Sequence, residues 1–102
     1  MNILITGSNG YIGRSILNSK IKGATFFHGN RQTINLFDKE SIIKFIKQNS
    51  IDCIIHCAIE GGSRLKTDEA NAFYNNILIF ENLYYCKNSS WHKQLQQLYA
   101  VQ

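Results

Sequence analysis

Proline is absent from the 102-residue chain, and no apolar run approaches the length needed to cross a membrane. Without proline, turns must be marked by glycine, asparagine and serine. The sequence starts without the basic leader and apolar segment of a signal peptide. These absences predict a cytoplasmic protein with no membrane partner. The length allows one small domain.

Clusters of charge and paired cysteines are also missing. The 11 Lys and Arg residues exceed the 7 Asp and Glu residues, but they are scattered along the chain. Nucleic-acid binding needs a basic patch or stripe, so we expect no nucleic-acid partner. Cys53, Cys57 and Cys86 have no repeated spacing and predict neither a metal site nor a disulfide framework. Cys53 and Cys57 lie in an apolar run and are interpreted as small core residues.

An alternation of strand and helix patterns is what the sequence does contain. Short apolar runs predict strands, and apolar residues at spacings of three and four predict helices. Strands are expected at residues 2–6, 24–28 and 51–57, and helices at 12–20, after the N-cap Asp38, and at about 67–87. This order predicts an α/β fold, a Rossmann-like parallel sheet with helices on both faces, truncated after three clear strands. We divide the chain into a half-domain at residues 1–87 and an atypical tail at 88–102 that offers a fourth strand.

Three glycines follow the first predicted strand and open the first predicted helix. The loop consists of Gly7, Ser8, Asn9, Gly10, Tyr11, Ile12 and Gly13. In this context Gly7 permits a tight turn, Gly10 lets a pyrophosphate approach the backbone, and Gly13 lets the helix pack on the strand. Free amides at the helix start would face the phosphates. The loop therefore predicts a dinucleotide site; the alternative, a turn without ligand, requires only one glycine.

Four segments in order make the chain resemble the extended short-chain dehydrogenase/reductase family, the NAD(P)-dependent nucleotide-sugar epimerases, dehydratases and reductases. They are the glycine loop, residues 35–38, residues 51–58 and residues 76–83. The pair Gly61 and Gly62 ahead of the last segment is most similar to the GDP-fucose synthase branch. The resemblance covers residues 1 to about 87. It implies a nucleotide-sugar partner only where a longer chain or a second protein supplies the substrate lobe.

The resemblance also implies cofactor contacts beyond the glycine loop. Asn35 and Leu36 correspond to the segment where the adenine ring lies. Cys57, Ala58 and Ile59 correspond to the strand end beside the cofactor. Asn76 corresponds to the asparagine that is a hallmark of the family's long helix. We expect all six to contact the dinucleotide.

The end of the second predicted strand bears on the choice of cofactor. An acidic residue there would bind the ribose hydroxyls and favour NAD. The segment instead ends in Asn30 and Arg31, and the planar guanidinium of Arg31 could pair with a 2′-phosphate. We therefore predict NADP, with NAD as the alternative; the competing interpretation of Arg31 is a solvated loop cation. Asn35 stands where the family has Asp, and its amide oxygen could still accept from adenine.

The catalytic pair of the family is missing from this sequence. That chemistry needs a tyrosine, a lysine four residues later and a nearby Ser or Thr, and none of the five tyrosines has such a lysine. We predict no catalytic residue and no metal, and interpret His56 as a strand-end residue beside the cofactor. The predicted function is a dinucleotide-binding N-terminal fragment of a nucleotide-sugar enzyme. The alternatives are a non-catalytic or complementing subunit of a larger assembly and a relic that merely folds.

Two expectations concern packing. In the family's strand order the first strand lies between the second and the fourth. Without a strand at residues 95–101, the apolar run at residues 3–5 would become an exposed edge. We therefore predict either that the tail pairs with the first strand or that the chain self-associates there.

A stripe of aromatic residues on the last helix is interpreted as core or interface packing: Phe73, Tyr74, Phe80 and Tyr84.

Overall fold

The computed structural model describes residues 1–58, 70–88 and 97–100. Strands and helices alternate along these residues, as predicted. They are β1 (Asn2–Thr6), α1 (Tyr11–Asn18), β2 (Thr25–Gly29), α2 (Lys39–Asn49), β3 (Cys53–His56), α3 (Ala70–Asn88) and β4 (Gln97–Ala100). The α/β class is confirmed, and the tail supplies the fourth strand.

The four strands form one parallel sheet in the order β2-β1-β3-β4. The predicted position of the first strand is wrong, because β3 rather than the tail strand lies beside it. Ile3 pairs with Cys53 and Thr6 pairs with His56, while β4 pairs with the far side of β3. Both sides of β1 are hydrogen-bonded, so the apolar run at residues 3–5 is not an edge. The expected tail pairing with β1 does not occur, and self-association at that strand loses its basis.

Side chains of the sheet enter two separate layers of core. Leu4 and Ile54 point to the face covered by α2 and α3, where they pack with Ile42 and Leu83. Residues one position away in each strand point to the other face, which α1 covers. That layer contains Ile3, Ile5 and Cys53, with Ile16 and Leu17 of α1 against it. Helices therefore cover both faces. Cys53 is buried in the core, as the sequence predicts, whereas Cys57 is only partly buried against it, because it lies beyond the end of β3.

The loop before α2 ends at a side-chain cap. Asp38 Oδ1 accepts a hydrogen bond from Glu40 N at 3.0 Å, as expected of an N-cap aspartate. The buried side of α2 contains Ile42 and Ile46, and the helix ends at Ser50 in the left-handed conformation. The cap fixes where the chain leaves the preceding loop, which lies at the candidate site.

The buried face of α3 differs from the one that its aromatic residues indicate. The side chains that enter the core are Ile79, Leu83 and Cys86. The aromatic stripe is exposed instead, at 68% for Phe73, 63% for Tyr74, 41% for Phe80 and 55% for Tyr84. The core interpretation of the stripe is therefore wrong, and an interface role stays a prediction. Among the residues described, no helix is long and apolar enough to span a bilayer.

Candidate functional site

A groove of about 1090 Å³ lies at the carboxyl ends of β1, β2 and β3. Its wall is formed by the glycine loop, by the segment after β2, by the two residues after β3 and by Ile79 of α3. Open parallel sheets bind their ligands at this end, where neighbouring crossovers leave a crevice. The volume is slightly above the range of about 300–1,000 Å³ that is typical of small-molecule sites, which leaves room for a ligand as large as a dinucleotide.

The groove brings together most of the cofactor residues that the sequence predicts. These are Gly7, Asn9, Gly10, Tyr11, Ile12, Gly13, Asn30, Arg31, Asn35, Leu36, Cys57 and Ala58. Ser8 is buried and Asn76 is half-buried on α3, and neither lines the groove. Ile59 lies outside the described residues.

Several residues of the wall were missed by sequence reasoning: Gly29, Gln32, Ile34, Phe37 and Ile79. Ile79 lies about one helical turn after Asn76, which the sequence predicted to contact the cofactor. Helical spacing could therefore have indicated Ile79 as a further residue on the same side of α3. Gly29 ends β2, and a Cβ there would lie 2.7 Å from Ile5 O. Its neighbours in space come from another strand, which no local pattern shows.

Two of the three loop glycines are required by the backbone itself. Gly7 has φ +68°, and a Cβ at this position would lie 2.8 Å from Ala58 N. A Cβ at Gly13 would overlap Gly7 O and lie 2.9 Å from Gly7 C, because α1 begins close against the loop. The tight turn and the close helix packing expected of these glycines are both present.

Gly10 differs from Gly7 and Gly13 because few protein atoms lie close to it. The nearest atom to a Cβ there would be Gly7 O at 3.3 Å. Gly10 is the N-cap of α1 and provides no side-chain cap. Within the described residues, the amides of Tyr11, Ile12 and Gly13 have no hydrogen-bond acceptor, as is usual at the start of an uncapped helix. They lie at the positive end of the α1 dipole, beside the groove.

Ser8 adds an orphaned polar atom to this loop. Its side chain is 1% exposed, and its hydroxyl has no hydrogen-bond partner in the part of the chain described. Buried polar atoms without partners are uncommon in native proteins and point to an absent water or ligand. The hydroxyl does not line the groove, so the fit of this loop to an anionic group depends on the amides of α1 and the space at Gly10.

Replacing Ser8 with alanine tests whether the hydroxyl is unsatisfied in the free chain. We expect the Ser8→Ala variant to keep or gain about 1 kcal/mol of unfolding free energy in urea, because it removes a buried group without a partner. Ser41→Ala is the matched control, since Ser41 Oγ accepts a hydrogen bond from Asn35 N at 3.0 Å. That control should lose about 1 kcal/mol. A larger loss for Ser8→Ala than for Ser41→Ala would show that the hydroxyl has a partner.

A buried hydrogen-bond network joins β1 to β3 directly below the loop. Thr6 Oγ1 accepts from Cys57 N at 3.0 Å and from Ala58 N at 3.3 Å. Its own proton is then directed to His56 Nδ1, 2.7 Å away. Cys57 N also donates to Thr6 O at 3.1 Å. A neutral ring that accepts the Thr6 proton at Nδ1 holds its own proton on Nε2. The network fixes the two residues that follow β3 at the groove.

Burial governs the charge of His56. It lowers the pKa of the imidazole from 6.5 to about 4, so the ring is neutral at neutral pH. His56 does not line the groove and its ring lies 6.4 Å from that of Phe80. His56 is the last residue of β3, as interpreted, but its ring packs toward α3 and does not line the groove where the cofactor is expected. Burial also raises the pKa of the Cys57 thiol, which favours the uncharged form at the groove.

The wall after β2 is built from local turns. Asn30 Oδ1 accepts from Gln32 N at 2.9 Å, and Asn35 Oδ1 accepts from Phe37 N at 3.0 Å. One lone pair of the Asn35 amide oxygen is therefore used within the protein. The other lone pair is left for the role suggested by the sequence, which is to accept a hydrogen bond from adenine. Arg31 is exposed on the same wall.

Comparison with known proteins places this arrangement in a family. Residues 3–98 match the family described as the NAD dependent epimerase/dehydratase family. The chain belongs to this family. The match confirms the resemblance seen in the sequence. A search of curated proteins found no match.

Solved structures of nucleotide-sugar reductases share the fold. A dTDP-4-dehydrorhamnose reductase from Clostridium acetobutylicum matches with a TM-score of 0.74 at 21% identity, over 96% of this chain and 34% of its own. A GDP-mannoheptose C4 reductase from Campylobacter jejuni with NADP bound matches with a TM-score of 0.71 at 18% identity, over 97% and 32%. A GDP-L-fucose synthetase from Naegleria fowleri matches with a TM-score of 0.66 at 18% identity, over 83% and 26%. The chain spans about a third or less of these proteins.

Proposed function

We propose that the chain binds NADP in the groove, with the diphosphate on the backbone amides of Tyr11 and Ile12. One observation carries this proposal: the amides lie at the start of α1 without acceptors, beside a groove that Gly10 leaves open. Helix starts of this kind bind phosphate through their amides and the helix dipole. Membership of the NAD dependent epimerase/dehydratase family and the NADP bound to the C. jejuni relative support the proposal.

The residues of the chain divide the binding between them. The glycine loop holds the diphosphate, and the end of β2 receives the adenosine ribose, as in other doubly wound sheets. Cys57 and Ala58, fixed by Thr6, form the wall beyond β3. When bound, a nicotinamide dinucleotide supplies hydride transfer. The chain's own residues bind and orient it.

The end of β2 favours NADP over NAD. Residues 30–37, which follow the strand, include no acidic side chain, and Arg31 is exposed on the groove wall. We expect Arg31→Ala to weaken NADP binding about tenfold, as the loss of one charge-assisted phosphate contact, and to leave NAD binding unchanged. Calorimetric titration with both dinucleotides measures this. Arg14→Ala is the matched control, because Arg14 is exposed on α1 and does not line the groove.

Equal effects of Arg31→Ala on the two dinucleotides would contradict the assignment of Arg31 to the 2′-phosphate. Tighter binding of NAD than of NADP by the unsubstituted chain would reverse the choice of cofactor. Absence of binding to either would refute the proposed function.

For the whole protein we propose the role of a nucleotide-sugar epimerase, dehydratase or reductase, of which this chain is the dinucleotide-binding part. The sequence contains no tyrosine followed four residues later by lysine. The chain alone should therefore bind the dinucleotide without turning over a nucleotide sugar. Steady turnover by the purified chain would contradict this.

A second candidate is a complementing subunit. A smaller groove lies on the α1 side of the sheet, lined by Ile16 and Ile21, by Ile55 of β3 and by Tyr99 of β4, which is 52% exposed. Apolar surface of this kind suits a further polypeptide layer over β3 and β4. NADP binding seen only with a second protein present would favour this candidate. Analytical ultracentrifugation of the chain alone tests self-association through the same surface.

A further inference from the structure

The buried face of α3 contains an amide among apolar residues. Asn82 is 3% exposed, and its neighbours on this face are Ile79, Leu83 and Cys86. Burying a carboxamide is unfavourable unless its hydrogen-bonding groups are used. Asn82 Nδ2 donates to Leu36 O at 3.0 Å, which joins α3 to the loop before α2.

Leu36 lies in the groove wall that Asn82 reaches. Asn35, Leu36 and Phe37 all line the groove. Within this segment, Asn35 N donates to Ser41 Oγ at 3.0 Å and Phe37 N donates to Asn35 Oδ1 at 3.0 Å. These bonds shape the turn and join it to α2. The bond from Asn82 attaches the turn to α3.

Two further contacts bring α3 against the residues that follow. Lys39 Nζ lies 4.3 Å from the centroid of the Tyr85 ring, and Cys86 Sγ lies 3.9 Å from Lys39 O. Both involve the first residue of α2, beyond the turn. The hydrogen bond from Asn82 differs from them, because among the described residues it joins α3 to a residue that lines the groove, Leu36.

The place of this wall along the dinucleotide follows from the proposed function. A diphosphate at the start of α1 directs the adenosine half toward the end of β2. Residues 29–32 and 34–37 continue from that strand end and line the same groove. The wall that Asn82 holds therefore lies along the adenosine half.

We propose that Asn82 is a positioning residue for the adenosine half of the bound dinucleotide, acting through Leu36 O on the turn at residues 35–37. The inference rests on the proposed function. A wall already ordered in the free chain avoids the entropy cost of ordering it during binding. Asn82 therefore contributes to affinity without touching the ligand.

The Asn82→Asp variant tests this, because it removes the donor and keeps the size of the side chain. Asn49→Asp is the matched control: Asn49 Nδ2 donates to Phe45 O at 2.9 Å on α2, and Asn49 does not line the groove. Calorimetry measures binding of NADP, adenosine 2′,5′-bisphosphate and inorganic pyrophosphate. We expect Asn82→Asp to weaken the first two by the same factor, about fivefold or more. Pyrophosphate should bind all three chains equally, and Asn49→Asp should change none of the affinities.

Hydrogen exchange separates positioning from general destabilisation. In free Asn82→Asp, the amides of Phe37 and Asp38 should exchange faster, because both donate to Asn35 in the turn. Saturating NADP should restore their protection. Amides of Leu4 and Ile54, in the centre of the sheet, should exchange as in the unsubstituted chain. Faster exchange throughout, with pyrophosphate weakened as much as NADP, would show a structural role and overturn the inference.

The two proposals fail in distinguishable ways. If the unsubstituted chain binds NADP and Asn82→Asp binds it equally well, the inference is wrong and the proposed function stands. If the unsubstituted chain binds no NADP, both are refuted. Should Asn82→Asp lack the circular dichroism of the folded chain, Asn82→Leu replaces it, since leucine fits an apolar face and also lacks the donor. The same loss of adenosine affinity is expected for it.

Discussion

Replacement of Gly13 by alanine is expected to abolish measurable NADP binding and to lower the free energy of unfolding by about 2 kcal/mol. The added Cβ would overlap Gly7 O and lie 2.9 Å from Gly7 C and 3.0 Å from Ser8 Cα. All three are backbone atoms, so no side-chain rotation relieves the overlap. Overpacking in a closely packed site typically costs 1–3 kcal/mol. Relief requires α1 to move away from the loop, which displaces the amides that the diphosphate needs.

Gly10→Ala is the matched control for this prediction. Its Cβ would have Gly7 O at 3.3 Å as its nearest neighbour, so the free chain should keep its stability within about 0.5 kcal/mol. Its NADP affinity should still fall, because the methyl group occupies space at the helix start. Urea unfolding and calorimetry give the two quantities for each variant. Equal stability of Gly13→Ala and the unsubstituted chain would show that the loop and α1 are not in close contact.

Acidification from pH 6.5 to 4 is expected to remove about 3 kcal/mol of stability through His56 alone. Burial lowers the pKa of His56 from 6.5 to about 4 in the folded chain. Between these values the unfolded chain binds a proton that the folded chain does not, so stability falls as the pH falls. The stability that the neutral His56 contributes is fully present above pH 6.5. A protonated ring would also turn a donor at Nδ1 toward Thr6 Oγ1, whose oxygen already accepts from Cys57 N and Ala58 N.

Urea unfolding at pH 7 and at pH 4.5 measures this dependence. The His56→Asn variant should lose much less stability on acidification, since its side chain does not titrate and its amide oxygen can accept the Thr6 proton. His28→Gln is the control, because His28 is exposed on β2. It should keep the pH dependence of the unsubstituted chain. The same loss of stability in His56→Asn would contradict the role assigned to the buried imidazole.

Features encoded within a few residues were predictable from the sequence. The strand at residues 2–6, the glycine loop and the N-cap Asp38 each depend on near neighbours, and all three are present where expected. The position of β4 was not, since it depends on which distant strand lies beside β1. In this chain β3 lies beside it, and β4 is displaced by one position.

The choice of the buried face of α3 is a second feature that the sequence did not decide. Phe73, Ile77, Phe80 and Tyr84 recur at helical spacing, and so do Ile79, Leu83 and Cys86, which are the buried set. Periodicity predicts the helix without deciding between two apolar faces. Only the packing against Leu4 and Ile54 of the sheet decides it.

The candidate site shows the same division. The glycine loop was predictable because strand, turn and helix are contiguous there. Two hydrogen bonds were not predictable, the one from Phe37 N to Asn35 Oδ1 and the one from Asn82 Nδ2 to Leu36 O. A side-chain amide can bond to many local and distant groups, and the sequence does not decide between them. The segments at the groove were predictable, and the bonds that hold them were not.

The central claim is that the backbone amides at the start of α1 receive the diphosphate. Titration of the ¹⁵N-labelled chain with NADP, and separately with pyrophosphate, tests it through amide chemical shifts. The account predicts that both ligands shift the amides of Tyr11, Ile12 and Gly13 most, and that NADP also shifts those of residues 30–37. Binding that leaves the amides of Tyr11 and Ile12 unshifted would contradict it.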